Sequence, residues 1–262
     1  MLAFIIPLKS ARMSGSWELV CALFKRTLLS VCNQNSLEYH VIVVCHEKPE
    51  IDFYSPKVTY IQVDLPLPSS DYDSKEKDKM LKMQAGLLHA KSINASHVMF
   101  VDADDCVSNK IAEFVDKNSK YDGWFIGKGF DFQEDIQRLR LRNKNLHLRT
   151  NSSHIIKLNW LEREFYLLSD EIKRGNCSLY HIDTVSILEK RGAKLSLLPF
   201  RGVIYITDNG ENMWWKQDSI AYSKSRIRGG AITYLKKFYR FLITQPITET
   251  VKREFGLYTI SR

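Results

Sequence analysis

The chain has 262 residues, of which 44% are hydrophobic, 11% aromatic and 26% charged, as is typical of a folded globular protein. These values exclude a mostly disordered chain and a coiled-coil rod. This length is near the limit for a single hydrophobic core, so we expect one domain or two closely fused halves. The formal net charge of +8 favours anionic partners. No signal peptide or membrane span is predicted, and five scattered cysteines indicate reduced thiols in a cytosolic protein.

In chain order, four short apolar runs predict buried strands, with helical patterns or loops between them. The strands are predicted at 3–8, 40–45, 58–63 and 97–101, and the helices at 17–31 and about 75–93. Strands that are apolar on both faces indicate a mostly parallel sheet covered by helices on both faces, which is an α/β fold of the Rossmann type. Ligands of such sheets bind at the carboxyl ends of the strands.

The second part of the sequence is less regular. A segment rich in Gly and aromatic residues at 123–132 precedes a short helix near 182–191 and strands at 195–198 and 203–206. Trp124 and Phe130 are either core residues or a platform for a sugar ring. We therefore predict a regular first half at 1–107, a less regular second half at 108–215, and a basic helical tail at 216–262.

The most informative string is VMFVDADDCV, in which an apolar strand leads directly into Asp102, Asp104 and Asp105. Carboxylates this close repel one another unless a cation or several hydrogen-bond donors offset the repulsion. Hard cations such as Mg²⁺ or Mn²⁺ bind to one or two carboxylates together with phosphate oxygens. The alternative is a surface turn whose aspartates cap the following helix.

The run KMLKMQAGLLHAKSINASHVMFVDADD resembles the segment that leads to the metal site in GT-A glycosyltransferases, especially the large inverting family. Lys79, Gln84 and Gly86 occupy matching positions, and the opening FIIPLKS, with Pro7, is similar to the first strand of that family. The resemblance implies transfer of a sugar from a nucleotide-sugar donor to a glycan or glycolipid acceptor, in the synthesis of bacterial surface polysaccharide or glycolipid. It makes 1–107 the nucleotide-sugar-binding half and 108–215 the acceptor-binding half of the same domain. It also implies a divalent metal cofactor, Mn²⁺ or Mg²⁺.

The resemblance assigns roles to individual residues. Pro7 and Lys79 would adjoin the nucleotide, although Lys79 is alternatively a solvated lysine of a charged run. Asp102 would contact the donor ribose or the metal, and Asp104 would hold the metal against the diphosphate. Asp105 would be a further metal ligand or would order the turn.

The resemblance also implies a catalytic base before the helix that ends at Gly192, where His181 and Asp183 stand. His181 is a suitable base because its pKa lies near neutrality, and it is alternatively a metal ligand. In the structural alternative, Asp183 caps the helix and His181 packs beneath it. Asp170 and Glu171 are a second candidate for the base, and residues 208–212 are a candidate for late metal or acceptor contacts.

Two other functions are compatible with the sequence. A phosphatase of the haloacid-dehalogenase type would use Asp102 as nucleophile and would need Lys157 or Lys173, with Asp170 and Glu171, near it. A non-catalytic domain would bind nucleotide or lipid only. The basic segment 216–240 is either a solvated helix or a surface for anionic lipid, so we predict a cytoplasmic protein with peripheral contact to the inner face of the membrane. No nucleic-acid motif accompanies this charge, and no nucleic-acid partner is expected.

Overall fold

The computed structural model describes residues 1–173, 181–211 and 241–260, with the side chains of 166–173 left undescribed. The described part contains two sheets and six α-helices. The strands are β1 Leu2–Pro7, β2 Tyr39–Cys45, β3 Val58–Gln62, β4 His97–Phe100, β5 Cys106–Val107, β6 Gly123–Phe125, β7 Gly129–Gln133, β8 Arg138–Arg142, β9 His154–Lys157, β10 Leu195–Leu197 and β11 Val203–Thr207. The helices are α1 Trp17–Cys32, α2 Tyr72–Ser92, α3 Ile111–Lys117, α4 Leu158–Lys173, α5 Thr184–Lys190 and α6 Glu249–Phe255.

The large sheet has seven strands in the order β10-β6-β9-β4-β1-β2-β3. Strands β4, β1, β2 and β3 are parallel to one another, β10 is parallel to β6, and β9 is antiparallel to both β4 and β6. The predicted α/β fold with a mostly parallel sheet is confirmed. Strands from both sides of residue 107 lie in this sheet, because β6, β9 and β10 extend it beyond β4.

Helices cover both faces of the large sheet, as predicted. Alternate residues of β1 point to opposite faces, so that Phe4 packs with α1 and α3 whereas Ile5 packs with α2 and α4. Helix α1 agrees with its apolar spacing. Helix α2 begins at Tyr72, before the predicted start at 75, because the side chain of Asp71 accepts a hydrogen bond from Ser74 N and caps it.

The small sheet has the order β5-β11-β7-β8. One of its faces forms a separate apolar cluster around Phe132, Leu139 and Phe255. Trp124 is buried with Phe114 and Tyr121, and Phe130 is buried against Phe255, so the prediction of a sugar platform is wrong and the core alternative is confirmed.

No helix among residues 1–173, 181–211 and 241–260 has the length and apolar character to cross a bilayer. The basic segment 216–240 lies outside the described residues, and so does Cys177. The other four cysteines are free thiols, of which Cys45 and Cys106 are buried.

Candidate functional site

A pocket lies at the carboxyl edge of β1 and β4, where the sheet predicts a ligand site. Its lining includes Pro7, Lys79, Asp102, Asp104 and His181. These residues come from the end of β1, from α2, from the turn after β4 and from the segment before α5. The fold therefore brings together five of the seven residues that the sequence proposed for the site.

The turn after β4 connects the two sheets. The backbone carbonyl of Asp102 accepts a hydrogen bond from Asp105 N at 3.0 Å, which closes the turn before the chain enters β5. The hydroxyl of Ser152 accepts a hydrogen bond from Asp102 N at 2.8 Å. Ser152 is fully buried, so this hydrogen bond anchors the turn to the protein interior.

Asp102 forms an ion pair with Lys79, whose Nζ lies 2.5 Å from Asp102 Oδ1. Burial lowers the pKa of Lys79, but Asp102 and Glu76 raise it more, so the net shift is upward and the ammonium stays charged. Lys79 is therefore a fixed positive charge in the pocket, and the interpretation as a solvated lysine is wrong.

Asp104 accepts a hydrogen bond from Asn209 Nδ2 at 2.7 Å. Burial, followed by the neighbouring charge of Asp102, raises the pKa of Asp104 to about 6. A nearby cation stabilises a buried carboxylate that has a negatively charged neighbour more than it stabilises a solvated one. The cation offsets both the loss of hydration and the repulsion between the two carboxylates.

Asp105 does not line the pocket. It is fully buried, and its two carboxylate oxygens accept hydrogen bonds from Ile206 N at 2.9 Å and Thr150 Oγ1 at 2.7 Å. Burial raises the pKa of Asp105 well above its ordinary value. The structure thus gives Asp105 a role in joining the turn to β11, and its proposed place among the metal ligands is corrected.

His181 is nearly buried at the pocket wall, and its Nε2 lies 3.2 Å from the carbonyl oxygen of Leu148. A carbonyl only accepts hydrogen bonds, so the neutral ring carries its proton on Nε2 and its lone pair on Nδ1. Burial lowers the pKa of His181, although Asp102 raises it in part. The ring therefore remains neutral at physiological pH, as a proton acceptor must.

Asp183 is exposed and does not line the pocket. It occupies the N-cap position of α5, as the structural alternative predicted, but its side chain makes no capping hydrogen bond. The structure does not place it with the proposed catalytic residues. The alternative base, Asp170 and Glu171, has no described side chain.

The sequence analysis did not assign several residues that also reach the pocket. Lys9 forms an ion pair with Glu211 at 2.5 Å, and Glu211 also accepts a hydrogen bond from Ser16 N at 2.8 Å. Lys82 is almost fully buried and donates to Leu8 O at 2.9 Å and Asp78 Oδ2 at 2.7 Å. The signal in the sequence that could have identified such residues was a polar side chain that interrupts an apolar pattern. Of the segment 208–212, Asn209 and Glu211 reach this region, and residue 212 lies outside the described residues.

Within the described ranges, no three His, Cys, Asp or Glu side chains are grouped so as to hold a metal ion. Asp102 and Asp104 are the acidic residues of the turn that line the pocket. One or two carboxylates commonly hold Mg²⁺ together with waters and substrate phosphates. The residues present thus fit a metal that binds together with a diphosphate.

The sheet order, the helical cover and the acidic turn after β4 define a GT-A-like α/β fold. Two solved structures of S. aureus TarS, a GT-A-type glycosyltransferase, share this fold. The structure of TarS residues 1–349 has a TM-score of 0.50 at 14% identity, covering 78% of this chain and 60% of the other. The longer TarS structure has a TM-score of 0.50 at 15% identity, covering 79% and 36%.

A weaker likeness, with a TM-score of 0.42 at 12% identity, is to Francisella tularensis 2-C-methyl-D-erythritol 4-phosphate cytidylyltransferase (IspD). It covers 87% of this chain and 100% of the other. This chain spans less than two thirds of either TarS structure. No protein-family model matches the sequence, and no curated protein matches it.

Proposed function

We propose that this protein is a glycosyltransferase that moves a sugar from a nucleoside-diphosphate donor to an acceptor hydroxyl, with inversion at the sugar carbon. The observation that carries the proposal is the meeting of Lys79, Asp102, Asp104 and His181 in one pocket at the carboxyl edge of the large sheet. A positive charge, two carboxylates and a neutral imidazole are the groups that transfer from a diphosphate requires.

Asp102 and Asp104 would hold a divalent cation together with the donor phosphates. Bound there, Mn²⁺ or Mg²⁺ would supply positive charge against the departing diphosphate. Lys79 is held at Asp102 by its 2.5 Å ion pair and adds a second positive charge to the same region. Lys9, which also lines the pocket, adds a third.

His181 is the proposed catalytic base. Its Nε2–H donates to Leu148 O, which leaves Nδ1 to accept the proton of the acceptor hydroxyl. The contact with Leu148 also orients the ring. The carbonyl of a backbone segment cannot change its protonation state, so the tautomer is fixed across the working pH range.

The phosphatase alternative is less well supported. Lys157 pairs with His97 at the amino end of β4, whereas Asp102 follows the carboxyl end of the same strand. Lys157 therefore lies at the wrong end of the strand to assist a nucleophilic Asp102. The side chains of Lys173, Asp170 and Glu171 are not described.

The test is binding and turnover with and without metal. We expect UDP, GDP, CDP or ADP to raise the melting temperature in the presence of Mn²⁺, and EDTA to abolish that rise. We also expect Mn²⁺-dependent hydrolysis of one nucleotide sugar. A phosphoryl group trapped on Asp102 would instead favour the phosphatase, and nucleotide binding without any turnover would favour the non-catalytic binder.

A membrane-side location and a glycan or glycolipid acceptor remain part of the proposal. The basic segment 216–240 is the feature that supports contact with anionic lipid. Co-sedimentation with phosphatidylglycerol vesicles at low salt tests it, and a protein that stays in the supernatant contradicts it.

A further inference from the structure

The small sheet has two different faces. Its apolar face carries Phe130, Phe132 and Leu139, which pack in the cluster with Phe255. Side chains alternate along a strand, so the intervening residues of β7, β8 and β11 point the opposite way. That second face carries Asp131 and Tyr205 together with three arginines of β8, at positions 138, 140 and 142.

A transverse row on this second face leads away from the pocket. Tyr205 of β11 pairs with Asp131 of β7, and Asp131 pairs with Arg140 of β8. Tyr205 lines the pocket. Adjacent strands lie roughly 5 Å apart, so the backbone of Arg140 is about 10 Å from that of Tyr205. The polar face of the small sheet is therefore a direct continuation of the pocket wall.

Asp131 holds two arginines on this face. Its Oδ2 accepts a hydrogen bond from Arg142 Nε at 2.7 Å, and Arg149 Nη2 lies 3.4 Å from the same oxygen. The guanidinium carbon of Arg149 also lies 5.7 Å from the ring centroid of Tyr205, and Arg149 lines the pocket. The single carboxylate thus fixes the direction of two guanidinium groups without neutralising both.

Arg140 is the arginine of this face that has no ion-pair or hydrogen-bond partner within the described ranges. Arg138, by contrast, donates to Thr244 at the far edge of the sheet. We name Arg140, Arg142 and Arg149 the basic face. Against the single carboxylate of Asp131, they leave a net charge of about +2 beside the pocket.

We infer that the basic face binds the acceptor, and that the acceptor is a glycan chain bearing anionic groups. This inference rests on the proposed glycosyltransferase function. Guanidinium groups bind phosphate and carboxylate oxygens through paired hydrogen bonds, and three of them on one face match a repeated anion. A chain that lies along the basic face leads past Arg149 and Tyr205 to the catalytic pocket.

The experiment measures binding of polyphosphate, polygalacturonate and neutral dextran to the full chain at low salt by isothermal titration calorimetry. The variants are Arg140→Gln and Arg140→Glu, which remove or reverse a charge that has no partner to lose. The matched control is Arg163→Glu, because Arg163 is an exposed arginine of α4 whose guanidinium carbon lies 5.2 Å from the Trp160 ring. Nucleoside-diphosphate binding is measured on the same samples.

We expect an anionic polymer to bind and dextran not to bind. Arg140→Gln should weaken binding about threefold and Arg140→Glu about tenfold or more, since one exposed charge contact is lost or reversed. Arg163→Glu should bind as the parent does, and nucleotide affinity should be equal in all four proteins. The anionic polymer that binds with the higher affinity identifies phosphate or carboxylate as the recognised group.

Equal loss in Arg140→Glu and Arg163→Glu would overturn the inference, since it would reflect net charge alone. So would Arg140-dependent binding of phosphatidylglycerol vesicles without binding of either polymer. If the polymer binds through Arg140 but no nucleotide binds to any of the four proteins, the proposed function fails and the polymer is not an acceptor.

Discussion

The two sheets differ in which of their faces are apolar. The large sheet is apolar on both faces and is covered by α1 and α3 on one side and by α2 and α4 on the other. The small sheet has an apolar face against α6 and a second face with Asp131, Arg140 and Arg142. The large sheet therefore has its functional polar residues at the ends of its strands, whereas the small sheet has polar residues along one of its faces.

The two sheets therefore contribute to the pocket in different ways. The ends of β1 and β4 place Pro7 and the acidic turn at one edge, where backbone geometry is rigid. The small sheet receives that turn through β5 and fixes it through the hydrogen bonds of Asp105 to Thr150 and Ile206. The pocket therefore needs both sheets, and each of the following experiments perturbs one of them.

The largest effect is expected from Asp104→Asn at the junction of the sheets. Asn lacks the negative charge with which Asp104 would hold a cation against the departing diphosphate, so turnover of the nucleotide sugar should fall by about 10³-fold. Asn keeps the side-chain shape, so the melting temperature without nucleotide should change little. Asp116→Asn, an exposed carboxylate of α3, is the control. Turnover within a factor of two of the parent would remove Asp104 from the mechanism.

His181→Ala should lower transfer to the acceptor by about 10²-fold or more, because the acceptor hydroxyl loses its base. Binding of the nucleoside diphosphate should stay within a factor of two. His89→Ala, on the partly exposed side of α2, is the control. If His181→Ala weakens nucleotide binding as much as it weakens transfer, the residue contributes to binding and not to proton removal.

Arg26→Met should destabilise the small sheet. Arg26 and Glu134 are both buried, with Arg26 Nη2 at 2.7 Å from Glu134 Oε2, and they tie α1 to the end of β7. Removing one partner leaves a buried charge and should cost about 3–5 kcal/mol in the free energy of unfolding, measured with urea.

The double variant Arg26→Met/Glu134→Leu is the comparison for that experiment. It removes both charges and should recover most of the loss, since no unpaired charge remains. A double variant as unstable as Arg26→Met would show that lost packing, and not the unpaired Glu134 carboxylate, causes the effect.

Gly86→Ala tests the large sheet in the same assay. A Cβ at position 86 would lie 2.4 Å from Ile5 Cγ2, so α2 must shift away from β1. Overpacking of this kind should cost about 1–3 kcal/mol. The Ile5→Ala background should reduce the cost of Gly86→Ala, because the added methyl then fills space. Additive losses in the double variant would contradict the close contact.

His154 predicts a loss of stability that depends on pH and is absent at neutral pH. Burial, followed by the charges of His147 and His181, lowers the pKa of His154 to about 3. The folded state therefore resists protonation, whereas the unfolded chain binds a proton below a pKa of about 6.5. Stability is complete above pH 6.5 and should fall by up to about 1.4 kcal/mol per pH unit between pH 6.5 and 3.

Urea unfolding at several pH values measures this slope. His154→Gln should remove the contribution of one proton to the slope and leave the proposed sugar transfer at pH 7.5 unchanged. An unchanged slope in His154→Gln would assign the acid sensitivity to other groups.

Much of the fold follows from local patterns. The apolar runs at 3–8, 40–45, 58–63 and 97–101 predicted β1 to β4 because burial on both faces leaves no polar alternation. The spacing of apolar residues likewise predicted α1. The small sheet was missed as a separate layer, since β5 has only two residues and its pairing with β11 joins positions about 100 residues apart.

Some residues of the site were likewise identified from the sequence, whereas others were assigned only by the fold. The acidic turn was found because charged residues directly after an apolar strand are conspicuous in the sequence. Lys79 was ambiguous, since the run DSKEKDK reads as a solvated face and only the position of α2 brings Nζ to Asp102. Asp105 and Asp183 were assigned to the site from the resemblance, and the fold directs one into the interior and the other into solvent.

The sequence by itself determined the alternation of strands and helices, the acidic turn at residue 102 and the excess of positive charge, because these depend on neighbouring residues. Only the tertiary structure decided which carboxylates face the pocket, that His181 reaches it, and that three arginines lie on one sheet face beside it. Those facts depend on contacts between distant segments, and no local pattern encodes the direction in which a packed side chain points.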